Sequence, residues 1–378
     1  VLAIQGPPGT GKTYVSAKAI VALVRTGRRV AVSSNSHRAI GNLLKGVAEE
    51  AGDQGVECRI AQKVSDPSDA GDHPAVQVVS DNEAPEIAAA DVVGATSWHF
   101  ARYDDAAFDH LVIDEAGQVS LANVMAMSRV ARNIVLVGDP MQLPQPIQGA
   151  HPGESGLSSL EYLIGEHRTV PADRGIFLPT TRRLHDDLCA FISRAVYEGR
   201  LENDAAASAQ SLVAPDGTDL AGARVVGACH EGRSQVSPEE VERVHAEIES
   251  VLGARYVDRD GEQHVIGSKD VIVVAPFNAQ VNALRSALDS DVKVGTVDLF
   301  QGQEAPVCIV SMTTSDGEEI PRGVEFLFSL NRINVAVSRA KVAARVIMSP
   351  SLLDTPVSTV EQMKLVNTLC LLEEHGER

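Results

Sequence analysis

The sequence predicts an α/β protein with two domains, each built around a parallel β-sheet. Short apolar runs typical of buried strands, such as residues 1–4 and 111–113, alternate with helical stretches such as residues 14–25. The 378 residues suffice for two domains at roughly 100 to 200 residues each. Hydrophobic residues make up 44% and charged residues 22%, which is close to the globular average and excludes wholesale disorder.

The predicted elements follow one another in a regular order. The strand-like runs of the first domain lie at 1–4, 30–32, 111–113 and 134–137. Its helical stretches lie at 14–25 and 37–50. Between 52 and 85, Asp, Gly and Pro accumulate around β-like pieces at 58–61 and 76–79, so we predict a small β-containing insertion there. Gly, Pro, Ser and His between 149 and 175 predict a domain boundary. The second domain contains strand-like runs at 271–275, 293–297, 307–312 and 344–348, and a polar surface excursion at 203–222.

Charge and cysteine usage limit the kinds of partner. The 33 Lys and Arg against 51 Asp and Glu give a net charge of -18, which argues against a globally basic nucleic-acid binder and restricts any such site to a local groove. The five cysteines are scattered and form no CxxC pair, so neither a disulfide framework nor a zinc site is indicated, and a reducing cytoplasm fits best. The sequence contains no apolar run of about 18 residues, the length that would indicate a membrane span. The start at Val1, inside a strand-like run, suggests a piece of a longer protein.

A phosphate-binding loop is predicted at residues 6–13, where GPPGTGKT satisfies GxxxxGK[ST] between a strand-like run and a helical stretch. Glycines allow backbone N–H groups to surround phosphate oxygens, Lys12 neutralises the β and γ phosphates, and the Thr13 hydroxyl reaches Mg²⁺. The alternative is a glycine-rich turn, which the strand, loop and helix together disfavour. The predicted nucleotide-binding residues are Gly6, Pro7, Pro8, Gly9, Thr10, Gly11, Lys12 and Thr13.

An acidic pair, Asp114 and Glu115, directly follows the strand-like run 111–113. Ligands of open α/β sheets collect at the carboxyl ends of strands, so we expect Asp114 to hold Mg²⁺ through water and Glu115 to deprotonate an attacking water. Gln142 follows the next run and is a candidate sensor of the γ-phosphate. Taken alone, these would be two solvated acids and a turn residue; with the preceding loop they predict a P-loop ATPase.

Five segments, taken in order, closely resemble the motifs of superfamily 1 helicases of the Upf-like branch. They are GPPGTGKT, DEAGQ (114–118), GDPMQLPQ (138–145), VGTVDLFQGQE (294–304) and NRINVAVSRAK (331–341). A closer likeness, in HEGRSQVSPEE, APFNAQV and SMTTSDGEEIPRGVEFLFSLNRINVAVSRA, is to the helicase half of bacterial proteins that join a RecB-like nuclease to such a helicase. The resemblance implies two RecA-like domains, residues 1–172 and 173–378, and a nuclease domain in the full-length protein.

The resemblance also implies a reaction and its residues. ATP with Mg²⁺ would lie between the two domains, with Thr13 and Asp114 at the metal. The implied catalytic residues are Glu115, Gln142, Arg183 and Arg339, with Arg339 as the arginine finger. Arg182 is adjacent to Arg183 and is an alternative to it. Arg182 also stands where relatives commonly place an aromatic that stacks on adenine. Gln301 and Glu304 would link the nucleotide, including its ribose, to the strand-binding surface.

The implied nucleic-acid contacts are mostly small polar groups and backbone at loop starts. They are Ser34, Asn35, Ser36, Thr96, Trp98, Pro276, Asn278 and Thr296. Such groups hold phosphates and sugars, so binding of a single strand without sequence preference is expected. Trp98 is either a base-stacking residue or a partly buried core residue.

The resulting hypothesis is a monomeric, ATP-driven translocase or helicase of single-stranded nucleic acid that moves 5′ to 3′. DNA is favoured because the closer likeness is joined to a nuclease, and RNA stays open. One rival is a nucleotide-gated binding or regulatory ATPase without productive unwinding. Another is a P-loop ATPase that acts on protein partners, which the net charge of -18 favours.

Overall fold

The computed structural model describes residues 1–145, 149, 151–300, 302–317 and 320–376. The chain divides into two compact units, Val1–Leu178 and Pro179–Arg378. The first unit extends beyond residue 172, where the sequence places the boundary, because the strand Gly175–Phe177 pairs with the first strand through Ala3–Gly175 and Gln5–Phe177. That pairing completes one edge of the first sheet.

The first unit is an eight-stranded sheet with helices, counted over the described residues. Its strands are β1 (Leu2–Gln5), β2 (Val30–Ser33), β3 (Ile60–Lys63), β4 (Val76–Val79), β5 (Val92–Gly94), β6 (Phe108–Ile113), β7 (Ala131–Gly138) and β8 (Gly175–Phe177). Its helices are α1 (Lys12–Arg25), α2 (His37–Gln54), α3 (Pro85–Ala89), α4 (Ser97–Phe100), α5 (Leu121–Met127) and α6 (Ser159–Ile164). The strand order is β4-β3-β5-β2-β6-β7-β1-β8, with every pair parallel.

The stretch predicted as an insertion belongs to this sheet. It contains β3 and β4, which pair in parallel and extend the sheet beyond β5. Ile60 and Val76 are buried against the same core as α1 and α2. These short strands therefore extend the main sheet at its edge and share its hydrophobic core.

Helices α1 and α2 cover the core of the first unit. Ile20, Val21 and Val24 of α1 are buried at helical spacing, and α2 begins at Ser36, whose hydroxyl accepts from Ala39 N. Gly55 ends α2 at φ 63, a left-handed conformation that glycine adopts without steric cost. Burial of each large aliphatic side chain contributes roughly 1.5–3 kcal/mol, which fixes the helices on the sheet.

The second unit is centred on a five-stranded sheet, again over the described residues. The strands of the whole unit are β9 (Thr180–Thr181), β10 (Glu202–Asn203), β11 (Ser211–Val213), β12 (Gly222–Gly227), β13 (Arg255–Val257), β14 (Gln263–Val265), β15 (Val271–Val274), β16 (Lys293–Gly295), β17 (Ala305–Ser311) and β18 (Ala340–Met348). Its helices are α7 (Asp186–Val196), α8 (Ala205–Ser208), α9 (Pro238–Val251), α10 (Asn278–Ala287), α11 (Val324–Leu327), α12 (Leu330–Val337) and α13 (Val360–Gly376).

The main sheet of the second unit has the order β12-β18-β17-β15-β16 and is parallel throughout. An antiparallel sheet, β11-β13-β14, lies beside it, and Leu212 and Tyr256 join its core. The stretch 203–222, predicted as a surface excursion, therefore contains ordered elements, α8 and β11. Within the described part of the chain, no helix is long and apolar enough to cross a membrane.

Candidate nucleotide and nucleic-acid site

The loop after β1 has the geometry of a phosphate cradle. Gly6 N donates to Gly138 O at 2.9 Å, which ties the start of the loop to β7. Gly9 and Gly11 have φ of 77° and 78°, and α1 begins at the next residue, Lys12. A Cβ at Gly6 would lie 2.3 Å from Lys12 Cγ, so the loop closes too tightly for a side chain there. The loop therefore places backbone N–H groups and a helix N-terminus around an anion-sized turn.

Lys12 folds back over this loop. Its Nζ donates to Gly6 O at 2.8 Å, and the Thr10 hydroxyl donates to Pro7 O at 2.8 Å. Thr13, in the first turn of α1, is exposed. The Lys12 ammonium therefore lies against the start of the loop, and Thr13 follows Lys12 in the first turn of the helix.

Asp114 lies at the carboxyl end of β6, next to β2, and is 5% exposed. Its N–H donates to Ser33 O at 2.8 Å, while its Oδ1 is buried without a hydrogen-bond partner among the described residues. Burial raises the pKa of Asp114 well above its usual range, the neighbouring Glu115 carboxylate raises it further, and Lys12 opposes the shift. Lys12 is therefore close enough to act on Asp114.

The unpaired oxygen of Asp114 fits a divalent cation. Hard cations such as Mg²⁺ take oxygen ligands and use few protein ligands when phosphates supply the rest. Over the described residues, no cluster of three or more His, Cys, Asp or Glu side chains forms a metal site of its own. In the described part of the first unit, the buried, unpaired oxygen of Asp114 fits Mg²⁺ bound together with a nucleotide, while the metal contact of Thr13 stays a prediction.

Glu115 is half-buried and takes up the left-handed conformation at φ 52. The turn after it packs tightly against the loop after β7, because a Cβ at Gly117 would lie 2.6 Å from Asp139 O. A Cβ at Gly138 would in turn lie 2.7 Å from Ala116 N. The two loops that carry Glu115 and Gln142 therefore form one unit of packed backbone.

Gln142 is buried and donates through Nε2 to Asp139 Oδ2 at 3.2 Å. Two residues that organise this region, Asp139 and Gln5, have no role assigned from the sequence. Asp139 also accepts from Met141 N at 3.1 Å, and from Gln5 Nε2 at 3.3 Å. Gln5 is 0% exposed and receives Val170 N on its Oε1 at 2.6 Å. A polar residue at the end of the apolar run 1–4 is the signal that could have identified Gln5.

Charged side chains of the second unit gather at the amino ends of β17 and β18. Arg183 Nε lies 2.5 Å from Glu304 Oε2, and Lys341 Nζ lies 3.0 Å from Glu304 Oε1. Burial alone would raise the pKa of Glu304, but Arg183 and Lys341 outweigh it and hold that pKa below its usual range. The motif 331–341 ends at Lys341, and the structure places this lysine in the same charged cluster. Arg182 is exposed, and its carbonyl accepts from Arg259.

Arg339 lies just before β18 and is 2% exposed. Its guanidinium donates to three backbone carbonyls, at 3.0 Å to Val335 O, 3.2 Å to Phe300 O and 2.9 Å to Gln303 O. Its predicted role as an arginine finger therefore requires that some of these hydrogen bonds open. Gln301, predicted with Glu304 to link the nucleotide to the strand-binding surface, lies outside the described residues.

The candidate nucleic-acid residues of the first unit follow β2 and β5, which are paired neighbours. Asn35 Nδ2 donates to Gln118 Oε1, which links the loop after β2 to the turn that carries Glu115. The Ser36 hydroxyl caps α2, and Ser34 is buried. Thr96 precedes α4 and is half-buried.

Trp98 is 84% exposed, so it is not a core residue. The short helix α4 buries His99 and Phe100 and leaves Trp98 facing solvent. Burial lowers the pKa of His99 to about 4, so it remains neutral and packs as part of the core. Of the two interpretations of Trp98, base stacking fits its exposure.

In the second unit, Pro276 and Asn278 follow β15, and Thr296 follows β16. These strands are paired neighbours, with Val274 opposite Gly295, so the three residues share the carboxyl edge of the sheet. Pro276 and Thr296 are half-buried and Asn278 is exposed. Short polar groups at such an edge suit contacts with a phosphate-sugar backbone.

Similarity to known proteins gives the family of the chain. Family models described as AAA domain match residues 1–152 and 157–351. The DNA replication ATP-dependent helicase/nuclease dna2 of Schizosaccharomyces pombe is 25% identical over 419 residues, covering 99% of this chain and 28% of that protein. A regulator of nonsense transcripts 1 homolog of Drosophila melanogaster is 25% identical over 403 residues, covering 93% of this chain and 33% of that protein.

Among solved structures, the helicase nonstructural protein 10 of an arterivirus, in complex with DNA, matches with a TM-score of 0.50 and 13% identity. The match covers 96% of this chain and 62% of that one, and it supports the fold. The chain spans about a third of the length of these two curated relatives.

Proposed function

Because the chain belongs to the AAA-domain family, with superfamily 1 helicases as relatives, we propose that it is an ATP-dependent translocase or helicase of single-stranded nucleic acid. The observation that carries the proposal is the carboxyl edge of the first sheet. There the phosphate cradle after β1 and the acids after β6 lie in one sheet with the polar loops after β2 and β5. The hydrogen bond from Asn35 to Gln118 connects the two groups.

In the proposed reaction, Lys12 and the loop amides bind the β and γ phosphates of ATP. Thr13 and Asp114 would hold Mg²⁺, which when bound neutralises phosphate charge. Glu115 accepts a proton from the water whose oxygen attacks the γ-phosphorus, and ADP leaves. Gln142, bonded to Asp139, reports the loss of the γ-phosphate to the loop after β7. Arg183 and Arg339 supply cations that stabilise the charge of the transferring phosphoryl group.

We further propose that the strand is DNA, moved 5′ to 3′, and that a nuclease domain accompanies this chain. The name of the fission yeast relative, a DNA replication helicase/nuclease, supports the first and third of these points. The direction rests on the resemblance of the five motifs alone.

The test is steady-state ATP hydrolysis at low salt without nucleic acid, with single-stranded DNA, and with single-stranded RNA of the same length and sequence. The rate without nucleic acid is the basal rate. We expect single-stranded DNA to raise this rate more than single-stranded RNA does. Lys12→Ala is the matched control, and it should abolish hydrolysis in every arm because the phosphates lose their cation. A rate that neither strand changes, with ATP binding intact, would contradict the proposal.

A second candidate is a nucleotide-gated nucleic-acid-binding ATPase without productive unwinding. The three carbonyls that accept from Arg339 favour this second candidate. The guanidinium takes no part in hydrolysis until these hydrogen bonds open. A strand-displacement assay on a duplex with a 5′ single-stranded tail separates the candidates. Displacement supports the helicase, and stimulated hydrolysis without displacement favours a translocating or regulatory role over a helicase.

A further inference from the structure

An aromatic ring flanked by two arginines lies near the carboxyl edge of the second sheet. The Cζ atoms of Arg322 and Arg332 lie 4.2 Å and 4.4 Å from the centroid of the Phe326 ring. We call these residues the Arg–Phe–Arg cluster. Guanidinium groups stack on aromatic faces through the ring quadrupole, an attraction of about 0.5–2 kcal/mol according to exposure. The stacking therefore holds two cations in defined positions.

The cluster adjoins the candidate strand contacts of the second unit on two sides. Phe326 packs against Phe277, with ring centroids 5.8 Å apart, and Phe277 lies between Pro276 and Asn278. Arg332 NH1 lies 3.4 Å from Asp298 Oδ2, two residues beyond Thr296. The cluster thus touches the segments that follow both β15 and β16.

The two arginines differ in their partners. Arg332 is paired with Asp298 and is 23% exposed, so part of its charge is already balanced. Arg322 is exposed, and among the described residues it has neither a carboxylate within ion-pair distance nor an acceptor for its N–H groups. Its Cζ lies over the Phe326 ring, and its N–H groups have no acceptor in the part of the chain that the structure describes. This is a guanidinium arranged for an external anion.

We propose that the Arg–Phe–Arg cluster is an additional contact for single-stranded nucleic acid, in which Arg322 binds a backbone phosphate. Phe326 orients the guanidinium, and Arg332 holds the ring and the segment of Asp298 together. The planar fork of arginine matches a phosphate bidentately, which a mobile lysine does not. This inference rests on the proposed function and extends its strand path from Pro276, Asn278 and Thr296 to α11.

The experiment measures the affinity of the protein for a fluorescently labelled oligo-dT across a salt series. Arg322→Ala should weaken binding about five- to tenfold at low salt and reduce the slope of log K against log salt by about 0.7, the loss of one phosphate contact. Arg322→Lys should recover the slope with only part of the affinity. Phe326→Leu should give an intermediate loss, because the guanidinium remains without its stacking face.

Arg255→Ala is the matched control, because Arg255 is another exposed arginine of the second unit, on β13. It should leave affinity and slope unchanged. Methylphosphonate linkages in the oligonucleotide, which remove backbone charge, should weaken binding of the wild-type protein more than that of Arg322→Ala. Unchanged ATP affinity in Arg322→Ala assigns the site to the strand, and a matching loss of ATP affinity overturns that assignment.

An Arg322→Ala protein with the affinity and salt slope of the wild type would overturn the inference. Failure of the proposed function has a different signature, namely wild-type hydrolysis that no strand stimulates. If the wild type binds oligo-dT without stimulation and Arg322→Ala binds it more weakly, the contact stands while the translocase proposal falls.

Discussion

Glu115 combines a position suited to catalysis with an unfavourable backbone. At φ 52 it lies in a region that costs a residue with a side chain about 1–3 kcal/mol. Gln118 N donates to Glu115 O at 2.7 Å, and the close approach of Gly117 to Asp139 holds the turn in place. Surrounding contacts therefore maintain the conformation, and the carboxylate projects from a rigid turn.

Glu115→Gln should retain ATP binding and lower turnover by about 10² to 10⁴, the usual contribution of a general base. The amide has the size of the carboxylate but cannot take the proton. Turnover and ATP affinity are measured on the same preparation. Glu198→Gln is the matched control, because Glu198 also has a positive φ, 55°, and has no proposed role in hydrolysis. An active Glu115→Gln enzyme would remove Glu115 from the mechanism.

At the scale of elements, the loops after β6 and β7 act as one packed layer. Gly117 and Gly138 allow backbone to meet backbone there, and Gly6 N joins β1 to β7 through Gly138 O. Interiors packed at this density transmit displacements, so the proposed reaction predicts that a change at the phosphates would move the neighbouring loop. The coupling assigned to Gln142 depends on this packing.

Gly117→Ala should lower the free energy of unfolding by about 1–3 kcal/mol, because its Cβ would meet a backbone carbonyl 2.6 Å away. Gly52→Ala, in α2, meets nothing within 4 Å and should raise the same quantity by about 0.5–1 kcal/mol. Chemical unfolding followed by circular dichroism measures both. Equal effects of the two substitutions would show that the loops are not tightly packed in solution.

At the scale of the whole molecule, each unit has its own sheet and core, and the candidate chemistry is divided between them. The phosphate cradle and the acids belong to the first unit. Arg183 and Arg339 belong to the second. The proposed reaction therefore makes turnover depend on both units.

Arg339→Lys should lower turnover by about 10³, the lower end of the range for an arginine finger, and leave ATP affinity within about twofold. Lysine keeps the charge but loses the fork that spans phosphate oxygens. Stability should also fall, because the buried Arg339 donates to three backbone carbonyls. Turnover is therefore expressed per folded molecule, with thermal unfolding recorded in parallel.

Arg345→Lys provides the control for that stability loss. Arg345 is another buried arginine, on β18, and donates to Gly222 O and Ala344 O. Its replacement should lower the unfolding temperature without changing turnover per folded molecule. Equal turnover of Arg339→Lys and the wild type would exclude Arg339 from the reaction.

The sequence by itself predicted the features that are local in the chain. The phosphate loop is eight consecutive residues, and its glycines, its lysine and the helix that follows are all readable from neighbours. Asp114 and Glu115 were placed at a strand end because the apolar run before them is adjacent. The family was recognisable for the same reason, since each motif is a short contiguous segment.

Contacts between distant segments become visible only in the folded chain. Gln5 and Asp139 are 134 residues apart, and Arg183 and Lys341 both pair with Glu304 although the three residues are distant in sequence. The same holds for β3 and β4 joining the main sheet. No local pattern encodes these pairings, because the free energy that selects them comes from burial and hydrogen bonds formed only when the whole sheet is assembled.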